Sequence, residues 1–151
     1  MTEFTDSDAW TFLAIEGAAR GKPSPLAEIL GCADAINHAI PTDDELEGGF
    51  TRLLQAGLIR MEGRELGLTA EGIALAERCS KVSSDWLEQW QFLAGILKSE
   101  SFPKACELTY EIQPGESAKA YKTYSGRFAN TLKQIEIEEA AEQEDEPDER
   151  R

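Results

Sequence analysis

The stretch from Pro41 to Thr69 constrains this chain more than any other. Pro41 cannot continue a helix behind it. Thr42 follows as an N-cap, and Glu45 sits three residues on. Thr42-Asp43-Asp44-Glu45 is thus a capping box: the hydroxyl accepts from the N3 amide and the carboxylate accepts from the cap amide. Leu46, Phe50, Leu53 and Leu54 then recur at helical spacing. Gly57 supplies the left-handed stop. Leu58-Ile59-Arg60-Met61 is apolar enough for a strand, Glu62-Gly63 turns it, and Arg64 to Leu68 returns. Thr69 caps what comes next. The chain must accommodate a helix, a hairpin and another helix in close succession.

Two helices precede this unit. Thr5-Asp6-Ser7-Asp8 offers caps for the first, whose inner stripe is Trp10, Leu13, Ala14 and Gly17. Arg20-Gly21-Lys22 ends it. Ser24-Pro25 reads as the N-cap and N1 pair of a second helix, with Leu26, Ile29, Leu30, Ala33 and Ile36 on its buried side. His38 closes that helix. The order helix, helix, turn, helix, hairpin, helix is that of a winged helix-turn-helix. Leu53-Leu54-Gln55-Ala56-Gly57-Leu58-Ile59 and Leu68-Thr69-Ala70-Glu71-Gly72 resemble the helix-3 end, wing and post-wing helix of MarR-type and PadR-type winged-helix regulators. The resemblance covers residues 8–80. It implies DNA binding as a dimer through helix 3 and the wing, with dimerisation through added helices.

Beyond the hairpin the pattern stays helical. Ser83, Ser84 or Asp85 caps a segment over 83–99, where Trp86, Trp90, Leu93, Ala94 and Leu97 share a face. Leu87, Phe92 and Ile96 widen it, so this helix needs burial on more than one side. Pro103 ends it. Leu108 to Ile112 is a strand or an extended connector, and Gln113-Pro114-Gly115-Glu116 is a turn. Tyr121, Tyr124, Phe128, Leu132 and Ile135 recur at threes and fours, predicting a helix over 117–138. The expected fold is mainly α with a small β-hairpin wing: a winged helix-turn-helix plus a helical C-terminal extension. Residues 1–80 form the winged-helix domain, 81–135 the extension used for packing or dimerisation, and 136–151 an acidic, disordered tail.

Charge separates the function classes. The formal net charge is −14. Residues 1–79 carry fourteen acids and six bases, 80–134 six and seven, and 135–151 nine and two. Such a chain is repelled at long range by nucleic-acid backbone and anionic membrane. Cys32, Cys79 and Cys106 are odd in number and widely spaced, which fits reduced thiols rather than a disulfide framework or zinc site. Met1 to Ser7 lacks a signal-peptide pattern, and no apolar run spans a bilayer. A cytoplasmic protein without cofactor or metal, and with no membrane partner, is expected.

Three sets of residues bear on function. On helix 3, Asp43, Asp44 and Glu47 occupy the positions that enter the major groove in a DNA reader, where they face phosphates of the same sign. They are candidates for contacting a protein partner. Arg52, Arg60 and Arg64 are the DNA-contact candidates of the alternative reading; their plainer role is to pair with Glu47, Glu62 and Glu65. Trp86, Trp90, Leu93 and Leu97 are the dimerisation candidates, because tryptophan is enriched at binding hot spots. Lys119, Lys122, Arg127 and Lys133 interleave with Tyr121, Tyr124 and Phe128, which suits single-stranded nucleic acid or, more plainly, an amphipathic helix. Cys32, Asp34 and His38 form a conceivable nucleophile cluster, but all lie within one short helix and turn. No phosphate loop, nucleophile elbow or dinucleotide fingerprint is present.

The expectation is a non-enzymatic winged-helix regulatory or adaptor protein whose partner is another protein or a second copy of itself. A dimeric DNA-binding regulator is the alternative, disfavoured by the charge of helix 3. An acidic inhibitor that mimics nucleic acid is the third.

Overall fold

A computed structural model describes residues 3–145. In chain order its elements are α1 (Asp6–Ala19), α2 (Leu26–Asn37), α3 (Asp43–Gln55), β1 (Ile59–Glu62), β2 (Glu65–Leu68), α4 (Ala70–Val82), α5 (Trp86–Ser99) and α6 (Glu116–Asp145). The fold is mainly α with a small β wing, an arrangement compatible with a winged helix. Residues 136–145 of the expected tail continue α6 as helix, and 146–151 lie outside the described residues.

The capping box on α3 forms as its sequence dictates: Thr42 Oγ1 accepts from the Glu45 amide at 3.1 Å and Glu45 accepts from the Thr42 amide at 3.0 Å. The hydroxyl of Ser7 also donates to Glu45, which holds that carboxyl below its usual range. Leu46, Phe50, Leu53 and Leu54 turn inward. Gly57 adopts φ +73°, the left-handed geometry that ends a helix cheaply only in glycine.

One hydroxyl then pins the helix end to the next start. Thr69 Oγ1 donates to the Gly57 carbonyl at 2.6 Å and accepts from the Gly72 amide at 3.1 Å. The Thr69 amide donates to the Leu58 carbonyl at 3.1 Å. This closeness requires Gly72, because a Cβ there would lie 2.0 Å from the Leu58 oxygen. Between these anchors β1 and β2 pair antiparallel, Ile59 opposite Leu68 and Glu62 opposite Glu65.

Ser24 departs from its expected role. Pro25 occupies the N-cap of α2 with no side-chain cap. The Ser24 backbone instead pairs with Leu66 in both directions, at 2.8 and 3.0 Å, adding a bridge to the wing's sheet. Extended pairing fixes the serine's geometry before the helix can use its hydroxyl. His38 closes α2 at φ 52°.

α1 is the axis of the core. Its residues Asp8 to Ile15 are all buried, because α2, α3 and α5 pack around it. Gly17, expected on the inner stripe, is exposed. Asp85 is the cap that starts α5, accepting from the Leu87 and Glu88 amides. Leu93, Ile96 and Leu97 of α5 join the same apolar cluster as Trp10, Phe12 and Leu13 of α1. The first part of α6 packs on α2, where Tyr124 lies over Gly31 and donates to Asp34 at 2.8 Å.

Two glycine substitutions test this packing. Gly72→Ala should destabilise the protein by about 2 kcal/mol or more through overlap with the Leu58 carbonyl. Gly95→Ala, within α5 and with open space around its Cβ position, should stabilise by about 0.5–1 kcal/mol. Urea unfolding midpoints of the two variants should move in opposite directions.

Candidate functional site

In a winged helix the exposed stripe of the third helix is the face available to a partner. On α3 that stripe is Glu47, Thr51 and Gln55, spaced four apart and therefore aligned. It is not open. Residues 101–113 form no regular structure and run across it, antiparallel to α3, as a strap between α5 and α6.

Each stripe residue holds the strap by its backbone. The Ala105 amide donates to the Gln55 carbonyl at 2.7 Å, and Gln55 Nε2 donates to the Leu108 carbonyl at 3.1 Å. Thr51 Oγ1 accepts from the Tyr110 amide at 2.9 Å and donates to the Tyr110 carbonyl at 3.4 Å. Glu47 accepts from the Ile112 amide at 2.7 Å. Cys106 Sγ adds a weak bond to the Leu54 carbonyl.

Tyr110 is the strap's one fully buried side chain, 2% exposed. Its ring meets Phe50 edge-on at 5.0 Å, and the Arg64 guanidinium lies 4.2 Å from the ring centroid. Burial pushes its hydroxyl pKa up to about 12, so the phenol stays neutral. That hydroxyl is buried with no hydrogen-bond partner among the described residues. Burying the ring contributes about 1.5–3 kcal/mol, and an unmet buried hydroxyl costs about 1–3 kcal/mol. The two nearly offset.

All three DNA-contact candidates are engaged within the chain. Arg52 grips Asp8 of α1 with Nε to Oδ2 at 2.6 Å and Nη2 to Oδ1 at 2.8 Å. Asp8 is fully buried and also accepts from the Thr5 amide at 2.9 Å. Gly49 makes room for this contact, since a Cβ there would meet Thr11 Oγ1 at 2.8 Å. Arg60 donates to Glu62 at 2.7 Å and to the Gly21 carbonyl at 3.0 Å. Arg64 pairs with Glu116 at the start of α6 and donates to the Glu111 carbonyl at 2.7 Å. The Arg64 bond holds the Glu116 carboxyl below its ordinary range. Of the pairings expected from sequence, Arg60 with Glu62 forms. Arg52 and Arg64 reach distant carboxylates instead of Glu47 and Glu65.

The partner-contact candidates divide. Asp43 and Asp44 are exposed at the first turn of α3, whereas Glu47 is half-buried under the strap. The dimerisation candidates divide too. Leu93 and Leu97 are 0% and 2% exposed within a single copy, so they belong to its core and not to a surface. Trp90 stacks on Trp10 at 5.7 Å and donates from Nε1 to the Asp6 carbonyl at 2.7 Å. Trp86 remains exposed at the start of α5, as are Val82 and Leu87.

Elsewhere, Lys119, Lys122, Lys133 and Tyr121 are exposed on α6, and Arg127 pairs with Glu28 at 3.5 Å. The side chain of Phe128 lies outside the described residues. Asp34 accepts from Tyr124, and burial raises the pKa of the Cys32 thiol. Cys79 is buried and its thiol is pushed up to about 11. Among the described residues no helix is long and apolar enough to cross a membrane, and no cluster of potential metal ligands occurs.

The sequence contained little that reveals the strap or the Asp8–Arg52 pair. Its one signal was Gly48-Gly49 inside α3, two residues that each cost a helix about 1 kcal/mol. Such a pair marks a place where something must approach closely.

No protein-family model matches this chain, and neither a curated protein nor a solved structure is significantly similar to it.

Arg52→Ala should leave the Asp8 carboxylate buried and unpaired, destabilising the fold by about 3 kcal/mol. Arg60→Ala removes only an exposed pair and should change stability by less than about 1 kcal/mol. Equal losses in chemical denaturation would show that the buried pair has no special weight.

Proposed function

We propose that this protein is a non-enzymatic regulatory or adaptor protein of the winged-helix type, related in design to MarR-like and PadR-like regulators, that acts by binding another protein. The supporting observation is the covered α3: Glu47, Thr51 and Gln55 hold the strap, and Arg52, Arg60 and Arg64 each face a carboxylate of the same chain. A DNA reader needs that helix free for the groove and those cations free for phosphates. The exposed Asp43 and Asp44 add a like-charge barrier to DNA and a complementary surface for a basic protein segment.

The test has two arms. Labelled duplex DNA titrated at physiological salt should show no saturable binding in the range of roughly 10⁻⁴–10⁻⁶ M typical of non-specific DNA binders. Tagged protein should retain a stoichiometric protein partner, and Asp43→Lys with Asp44→Lys should release it without changing the melting temperature. Saturable DNA binding that disappears in Arg60→Glu with Arg64→Glu would replace this reading with the dimeric DNA-binding regulator.

A further inference from the structure

We propose that the α3–wing groove is a receptor for an extended polypeptide segment bearing one aromatic side chain, and that residues 104–113 are its resident occupant in cis. A partner's segment of the same kind takes the site by displacing the strap. The inference rests on the protein-binding reading above and names the site and the chemistry of its ligand.

The mode of contact is what suggests a receptor. The α3 side chains of Glu47, Thr51 and Gln55 bond to strap amides and carbonyls, groups that every polypeptide carries. Main-chain bonding of this type accepts many sequences, and selection comes from a side-chain pocket. Here the pocket is the seat of Tyr110, walled by Phe50 and roofed by Arg64. Most of the strap's other side chains contribute little: Lys104, Ala105, Glu107, Leu108, Thr109 and Glu111 are exposed, and Cys106 and Ile112 are half-buried.

The resident also fits imperfectly. The Tyr110 hydroxyl is buried without a partner, which cancels much of what its ring gains. A segment with phenylalanine in the same seat avoids that loss. Arg64 is bound to both strap and α6, through Glu111 and Glu116, so one arginine registers whether the strap is seated. The strap has no ladder or helix of its own to keep it ordered once lifted.

Hydrogen exchange of the wild-type chain is the first measurement. The Ala105, Tyr110 and Ile112 amides should exchange at least 100-fold faster than the buried amides of α1, through opening of the strap alone. The second is fluorescence polarisation with a labelled peptide of residues 104–113 carrying Cys106→Ser. It should bind full-length Tyr110→Ala at least tenfold more tightly than wild type, and Tyr110→Phe more weakly than wild type. A peptide with alanine at the tyrosine position should lose binding to Tyr110→Ala by at least tenfold.

Exchange of the strap amides at the rate of α1 would overturn the proposal, since the strap would then be a fixed part of the core. Equal peptide affinity for wild type and Tyr110→Ala would do the same, and so would indifference to the peptide's ring. Those failures leave Asp43 and Asp44 as the partner surface and the protein-binding reading intact. Saturable duplex binding by Tyr110→Ala, in place of peptide binding, would overturn both.

Discussion

The geometry of this molecule depends on one ion pair. Asp8 on α1 is fully buried, and Arg52 on α3 meets it with two hydrogen bonds. A buried carboxylate stripped of that partner is costly to the fold. The pair therefore dictates how α1 and α3 cross, and Gly49 is the residue that lets them come near enough. It also commits the only arginine of α3 to a carboxylate of α1, leaving its side chain 32% exposed. The one arginine of α3 thus serves to join two helices of the core.

What remains on the outer face of α3 is a set of neutral and acidic groups at regular spacing. Glu47, Thr51 and Gln55 supply acceptors and donors but no positive charge. Such a stripe suits peptide backbone better than a polyanion. The wing is drawn into the same arrangement, because Arg64 leaves the hairpin to meet Tyr110 and Glu116. Arg64 thus ties the hairpin to both the strap and α6.

Sequence reasoning succeeded where the determining interactions are local. The box at Thr42 and Glu45, the stop at Gly57, the hairpin turn and the cap at Thr69 each involve neighbours a few residues apart, and each occurs as its spacing requires. It failed where partners are far apart in the chain. Asp8 and Arg52 are separated by 44 positions, and Thr51 and Tyr110 by 59. Asp8 looked like a helix-capping residue and Ser24 like an N-cap, both sound local assignments. Asp8 does serve the Thr5 cap, yet its larger role is the distant ion pair. Ser24 is taken over by Leu66. The strap's alternation over Leu108 to Ile112 showed an extended piece without showing where it lies. Leu93 and Leu97 were legible as one apolar face, but a face does not say whether it meets its own chain or another.

α6 has a consequence of a different kind. Its first part is basic and rests on α2, while residues 133–141 stand exposed and become increasingly acidic. At 1.5 Å per residue the whole helix is about 45 Å long. Its final turn contains no basic residue, so carboxylates gather where the helix dipole is already negative. Ionic strength screens that repulsion. Added salt therefore eases the crowding of like charges along the outer end of this arm.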